Sequence, residues 1–490
     1  MSSDLLSFPR CRADQLGLPM PDECHAVSAC LPLWEHNVGY EEGDPEIHAR
    51  LRAAYPRFCF HPIVQQLSQR FLNQEGRQGL PFVSTAAARR ALAYVQRAGV
   101  ADAEIVPFEG WQVCGVAVPT DQFSTLKQYW QHAGENVSSR VAELILADTQ
   151  APCTETESRR TVRNRVAALH QVRSDRVFLF PSGMAAIAAA WRAVQACRSG
   201  PTCQFGFPYV DTLKIQQRFT PERNEFFPVG NAADLIRLET VCQTRPPVAV
   251  FCEVPTNPLL LTPDLRTLRQ LADVHDFLLI VDDTLGACGN VSVAEFADLT
   301  VTSLTKYFSG YGNVLAGSLV VNPASPRASR LHDLVTTDFE ETLSDTDAAV
   351  LCRNSDDLRE RMVVINHNAA SLADFLRQHP AVASVFYPQT DDPNFAAVRT
   401  PDGGCGGLLS IVLHDPERTT PVVFDALEIC KGPNLGTNFS LCCPYTILAH
   451  YEELDEVEAC GVSRWLLRLS VGMEPISELR NRFDRALQSV

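Results

Sequence analysis

Lysine occurs at only four positions, Lys127, Lys214, Lys306 and Lys431, so nearly all the positive charge is arginine. Any chemistry that needs a primary amine therefore has four candidates. Lys306 stands out because it follows a short apolar run and sits among hydroxyls, in Ser303-Leu304-Thr305-Lys306-Tyr307, just ahead of the glycine-rich residues 309–312. An amine taken out of water loses basicity and becomes a usable nucleophile toward an aldehyde. A lysine in a surface loop does neither, and this segment alone does not separate the two cases. Asp282-Asp283 directly follow four apolar residues, 278–281. A carboxylate in that place needs a cation or hydrogen-bond donors, because an unpaired buried charge is costly, although either aspartate could instead cap a turn. Ser182-Gly183-Met184 opens an alanine-rich stretch. A helix starting there would present unpaired N–H groups to a phosphate, or would simply be capped by its serine. Asn257 is held between Pro255 and Pro258, in a rigid turn that could present its amide or serve only as a turn.

All four groups need a scaffold that brings them together. From about residue 165, short apolar runs alternate with helix-like stretches: 177–180 then 184–197, 248–254 then 264–275, then 278–281 and 299–303. Such runs read as buried parallel strands of an α/β sheet. In such sheets ligands bind beyond the carboxyl ends of the strands, where the four groups lie. A long helix over 362–377, short strands at 408–413 and 466–471, and a final helix near 476–487 read as a smaller C-terminal α/β or α+β domain. Residues 1 to about 130 show no long regular pattern and read as an arm or covering layer. The division expected is an N-terminal arm at 1–150, a large domain at 151–355 and a small domain at 356–490.

The combination is more informative than its parts. A phosphate-type helix start, a strand-end carboxylate and a lysine 24 residues after it, with an asparagine turn between, are what a pyridoxal phosphate (PLP) site requires. The acid keeps the pyridine nitrogen protonated so that the ring acts as an electron sink, and the lysine holds the aldehyde as a Schiff base. The bulk composition agrees with a soluble enzyme. Hydrophobic residues make up 46%, and the formal charge of -16 disfavours nucleic acid and anionic membranes as partners. The 17 cysteines show no zinc-type spacing and read as reduced thiols of a cytoplasmic protein. No metal site is expected, and His450 reads as a hydrogen-bonded structural histidine. MSSDLLSFPR lacks the features of a secretion signal, and no apolar run approaches bilayer length.

Ser182-Gly183-Met184-Ala185-Ala186, Glu253-Val254-Pro255-Thr256-Asn257-Pro258, Val281-Asp282-Asp283-Thr284, Ser303-Leu304-Thr305-Lys306 and Arg468-Leu469-Ser470-Val471-Gly472-Met473-Glu474 resemble, in the same order, the motifs of the Cys/Met-metabolism PLP enzymes of fold type I. Residues 25–45 (HAVSACLPLWEHNVGYEEGDP), 205–214 (FGFPYVDTLK), 431–439 (KGPNLGTNF) and 443–451 (CPYTILAHY) extend the likeness to the fungal cystathionine γ-synthase branch, over almost the whole chain. The resemblance implies the fold type I transferase architecture: a mostly parallel central sheet flanked by helices, with a smaller C-terminal domain and an N-terminal arm. It also implies roles for individual residues. Lys306 carries PLP and Asp282 pairs the pyridinium. The backbone of Ser182, Gly183 and Met184, with Ser303 and Thr305, holds the phosphate, and Asn257 meets the ring hydroxyl. Arg468 grips the substrate carboxylate, with Ser440 and Ser138 near the substrate. Ser139-Arg140 matches the family's Tyr-Ser-Arg motif, whose arginine reaches a neighbouring subunit's phosphate, so a homodimer or homotetramer is implied. Two departures follow: the motif's tyrosine is Ser138 here, and the ring-stacking tyrosine aligns with Phe205, leaving nearby Tyr209 as a substitute catalytic phenol.

The implied reaction is γ-replacement on an O-acetyl- or O-succinyl-L-homoserine through an unsaturated, vinylglycine-type intermediate, with cysteine thiolate giving cystathionine. Three alternatives remain. The first is a specialised-metabolite enzyme that adds a carbon or nitrogen nucleophile to the same intermediate, a reading to which Tyr311 and Gly312 after the lysine add modest weight. The second is a cystathionine lyase. The third is a non-catalytic pseudoenzyme, against which the joint presence of Lys306, Asp282 and Arg468 argues.

Overall fold

The fold is seen in a computed structural model that describes residues 4–53, 55, 60–149, 157–220, 222–286 and 288–490. Near the N-terminus, β1 (Arg77–Phe82), β2 (Glu104–Pro107) and β3 (Cys114–Pro119) form an antiparallel sheet in the order β1-β3-β2. Helices Pro62–Phe71, Thr85–Arg97 and Phe123–Ala133 pack against it. The sequence reads as irregular here because β1 contains Gly79 and Pro81 and β3 contains Gly115, which punctuate a strand pattern. Both glycines are required by packing. A Cβ on Gly115 would lie 2.2 Å from a methyl carbon of Leu72, and one on Gly79 would lie 2.6 Å from the Val116 carbonyl.

The central sheet contains β4 (Val177–Phe180), β5 (Thr202–Phe205), β6 (Glu225–Phe227), β7 (Ala249–Glu253), β8 (Leu278–Asp282), β9 (Leu299–Ser303) and β10 (Gly317–Val321). They lie in the order β4-β10-β9-β8-β7-β5-β6. Only β10 runs antiparallel to its neighbours. Both faces are covered. Ile280 and Phe251 join the cluster under helix Gly183–Cys197, while Leu279, Val281 and Val250 join the one under helix Leu265–His275. This two-sided burial gives the continuous apolar runs seen in the sequence. β5 hides from that reading because it contains Thr202 and Gln204, both fully buried. The Gln204 amide donates to the Gly206 carbonyl at 3.2 Å, and its oxygen accepts from Gln216 at 2.9 Å.

The C-terminal sheet has β11 (Val382–Phe386), β12 (Leu408–Leu413), β13 (Cys430–Lys431), β14 (Leu441–Pro444) and β15 (Leu467–Ser470), in the order β11-β12-β15-β14-β13. β15 is central, which places Arg468 between Ser410 and Cys443. Helices Leu358–Gln378 and Ile476–Leu487 cover this sheet. Among the described residues, no helix is long and apolar enough to cross a membrane, and every described cysteine is a free thiol.

One buried acid joins the N-terminal layer to the central domain. Glu135, 4% exposed, accepts from Arg90 at 2.6 Å and from Tyr129 at 3.3 Å, and pairs with Arg192 of helix Gly183–Cys197 at 3.2 Å. Burial alone would raise its carboxyl, but Arg192 and Arg90 outweigh that and hold it below the usual range. The resulting stability is present above the unfolded-state pKa, near 4.3, and is lost as pH falls through the lower folded-state value. Glu135→Gln is expected to destabilise the protein by about 3 kcal/mol at neutral pH, since it leaves two arginines facing a neutral group. Denaturant unfolding at pH 7 and pH 4 checks this. The loss should shrink at the lower pH, and a neutral effect at both would show that the pair does not hold the layer.

Candidate active site

Beyond the carboxyl ends of the parallel strands lies a cleft with about 1190 Å³ of space, counting its open mouth. Ser182, Gly183, Met184, Asn257, Asp282, Ser303, Thr305, Lys306 and Arg468 all line it. Strand order explains the convergence, because β9, β8 and β7 are adjacent and end in Ser303, Asp282 and Glu253. Ser182 caps the helix after β4, accepting from Ala185 N at 3.0 Å while donating to the Gly134 carbonyl at 2.7 Å. The amides of Gly183 and Met184 lie in the first turn and have no acceptor within the helix. Gly183 is needed there because a Cβ would lie 2.7 Å from Ser303 Cβ. The Thr305 hydroxyl lines the cleft but is engaged with Ala316, accepting its N–H at 3.0 Å and donating to its carbonyl at 3.3 Å.

Lys306 is 6% exposed, and its amine donates to Asn434 Oδ1 at 2.6 Å and to the Tyr55 hydroxyl at 2.8 Å. Burial lowers its pKa, against a smaller opposing influence from Tyr55. The Asp282 carboxyl is pushed up to about 6 by burial, with its Oδ1 accepting from Thr284 N at 2.9 Å. Asp283 points elsewhere, accepting from Thr302 at 2.6 Å, which distinguishes the two aspartates. Arg468 donates to the Pro433 carbonyl at 2.7 Å and to Asn257 Oδ1 at 3.3 Å, and stacks over Tyr445 at 4.8 Å. Both hydrogen-bond acceptors are neutral, so the guanidinium charge is available to an anionic ligand. A phosphorylated aromatic aldehyde fits this donor set. It would meet free amides at the helix start, a desolvated amine, and a carboxyl that a ring cation would restore to its charged form.

The structure places three of the expected residues away from this cleft. Phe205 does not reach the cleft. It is fully buried among Phe227, Cys252 and Val254 on the opposite face of the sheet, because alternation along β5 turns its ring inward. Tyr209, carried over the strand ends by the turn after β5, lines the cleft instead and donates its N–H to Glu253 at 2.5 Å. Ser440 is also outside the cleft. Its hydroxyl donates to Glu474 at 2.8 Å and accepts from Gly472 N at 2.9 Å, locking a loop. Ser138 caps helix Ser139–Leu146 and lines a second, smaller cleft with His25, His61 and Arg140. There Arg140 donates to Asp347 at 3.3 Å. His450 bonds Glu453 at 2.8 Å.

Sequence reasoning missed Tyr55, Glu253, Asn434 and Tyr445. Glu253 carried a usable signal, since it follows an apolar run as Asp282 does. It pairs in register with Asp282, and its carboxyl is raised well above the usual range by burial and then by Asp282. Tyr55 carries no spacing signal, and Asn434, although within the family-like stretch 431–439, carries no residue-level cue to its role.

Borohydride treatment of the PLP-loaded protein is expected to fix the cofactor on the peptide containing Lys306, and Lys306→Ala to abolish that fixation. A modified Lys127, Lys214 or Lys431 peptide would sink the assignment. Tyr209→Ala is expected to weaken cofactor retention about tenfold through loss of ring packing. Phe205→Ala should instead cost roughly 3–5 kcal/mol of stability. Cofactor titration and unfolding of both variants check this, and the reverse ranking would restore the ring contact to Phe205.

Residues 115–488 match the family described as Cys/Met metabolism PLP-dependent enzyme, and residues 63–138 match the N-terminal domain of fungal trans-sulfuration enzymes. A cystathionine gamma-synthase of Neurospora crassa is 34% identical, the match covering 97% of this chain and 98% of that protein. The cystathionine gamma-synthase-like protein ankD of Aspergillus thermomutatus is also 34% identical, over 100% of this chain and 97% of its own. The crystal structure of cystathionine gamma synthase from Xanthomonas oryzae pv. oryzae in complex with aminoacrylate and cysteine has a TM-score of 0.59, covering 68% of this chain and 86% of that one. At 24% identity it speaks for the fold alone. The chain belongs to the Cys/Met metabolism family of PLP-dependent enzymes, is cystathionine gamma-synthase-like within it, and has PLP as its cofactor.

Proposed function

We propose that the chain catalyses replacement of the γ-acyloxy group of O-acetyl- or O-succinyl-L-homoserine by a nucleophile, with cysteine as first candidate and cystathionine as product. The observation that carries this reading is that Lys306 and Arg468, a desolvated amine and a guanidinium whose acceptors among the described residues are neutral, line one cleft. That arrangement suits an α-amino acid whose carboxylate is gripped while its Cα–H faces a base. Full-length likeness to a cystathionine gamma-synthase supports sulfur as the incoming atom.

The bound cofactor supplies an electron sink for bonds breaking at Cα and beyond. The residues do the rest. The Gly183 and Met184 amides and the Ser303 hydroxyl hold its phosphate at the positive helix end. Asp282 keeps the ring nitrogen protonated, and Asn257 faces the ring hydroxyl. Tyr209 stacks on the ring. Arg468 exchanges the Pro433 and Asn257 oxygens for the substrate carboxylate, in fork geometry. Lys306, shifted toward its unprotonated form by burial, removes the Cα proton and then moves protons along the chain until the acyloxy group departs. The proposal includes a homodimer or homotetramer. In it Arg140 leaves Asp347 for the neighbour's phosphate, while Tyr55 and Gly134 of the same N-terminal residues 1–150 stay at their own copy's cleft.

The test is mass spectrometry of products from the PLP-loaded protein given each O-acyl-homoserine, with cysteine and, separately, with β-keto acids and amines. Cystathionine is expected to dominate. A C–C or C–N linked product with little cystathionine would make this a specialised-metabolite enzyme. Activity on cystathionine alone would make it a lyase.

A further inference from the structure

Among the described residues the Lys306 amine has two hydrogen-bond partners, Asn434 Oδ1 and the Tyr55 hydroxyl. The amide oxygen can only accept. The phenol can take a proton and give one, so it alone couples the amine to further proton movement. Tyr55 is partly buried in the cleft wall with its ring centre 4.4 Å from the amine. It is also hydrogen-bonded to Tyr209 and feels the Arg468 charge. A chain of hydroxyls therefore leads from the amine across the cleft. Ser138, where the family resemblance would place a phenol, lies in the other cleft.

We propose that Tyr55 is a catalytic residue, the proton partner of Lys306. This rests on Lys306 being the base of the proposed reaction. After Lys306 has taken a proton from carbon, an N–H bond of its ammonium breaks as an O–H bond forms at Tyr55. The phenol's own proton leaves to the departing oxygen of the substrate, which departs as the neutral acid, while Tyr209 donates to the Tyr55 oxygen. One positive charge is handed on, no electrons are transferred, and the amine is ready for a second C–H removal. The electrostatics are compatible. Burial would raise the Tyr55 phenol, but the Lys306 charge and hydrogen bond, with Arg468 and Tyr209, outweigh it and hold it below its usual value.

The test reads the amine itself. Full-length, cofactor-free protein is acylated competitively with acetic anhydride across pH, and Lys306 labelling is measured by mass spectrometry against exposed Lys127 as internal reference. Tyr55 raises the Lys306 pKa, so Tyr55→Phe should lower the labelling midpoint and speed labelling several-fold at pH 7, with Lys127 unchanged. Arg468, Asp211, Asp282, Glu253, Tyr209, Cys443 and Tyr445, the other ionisable groups lining the cleft, are the same in both proteins. In the PLP-loaded enzyme the variant should lose about tenfold or more in kcat, with KM for the amino acid within twofold. An unmoved midpoint, or a moved midpoint with unchanged kcat, would overturn the proposal. Should Tyr55→Phe not fold, Lys306→Met serves: ultraviolet difference titration should show one phenol ionising at higher pH than in the parent, and an unaltered titration overturns the proposal. Labelling and titration use no amino-acid substrate, so they stand even if the γ-replacement reading fails.

Discussion

Three neighbouring strand ends take three ionisable groups out of water together, and the rest of the site depends on that desolvation. Glu253 and Asp282 end β7 and β8 side by side, and Lys306 follows three residues after β9. Burial favours the neutral form of each, raising the two carboxyls and lowering the amine. A cleft poised this way is responsive. A ring cation draws Asp282 back to its charged form, whereas a solvated carboxylate would gain little from the same contact. The same burial shifts the amine toward its unprotonated form. The apolar strands beneath are therefore part of the chemistry, because they keep water from the groups above them.

The sequence disclosed what burial makes regular and concealed what it makes irregular. Strands covered on both faces appear as apolar runs, so β4, β7 and β8 and the groups at their ends could be read directly, as could the helices between them, and β9 showed through Leu299 and Val301 despite Thr300 and Thr302. β5 could not, since the buried Thr202 and Gln204 interrupt its apolar run, the Gln204 amide being satisfied by Gly206 and Gln216. Phe205 was misplaced for a related reason. An aligned aromatic says nothing about which face its strand turns toward, and the turn that lifts Tyr209 over the strand ends lies beyond it. The N-terminal strands were hidden by Gly79 and Gly115, which look like breaks but make room for Leu72. Tyr55 and Asn434 belong to the class that local reasoning misses, single side chains delivered to the site by long-range packing.

The second cleft gives Arg140 a resting partner. Its guanidinium lies with Asp347 and Glu23, at 3.3 and 3.6 Å, beside the serine that caps helix Ser139–Leu146. Leu315 lines both clefts, so the loop after Lys306 forms their common wall.

Gly134 has a further consequence. Its left-handed conformation (φ +64°) ends helix Phe123–Ala133 of the N-terminal layer, and its carbonyl takes the Ser182 hydroxyl. A Cβ there would lie 2.5 Å from Met184 Cβ, so the layer rests directly on the helix start proposed to hold the phosphate. Two events that share this contact are thermodynamically linked. Whatever free energy a phosphate at the helix start adds to docking of the layer, docking returns to phosphate affinity by the same factor. Cofactor occupancy thereby reports on the N-terminal layer as well as on the cleft, and a chain whose layer has come loose would reveal itself first by shedding its cofactor.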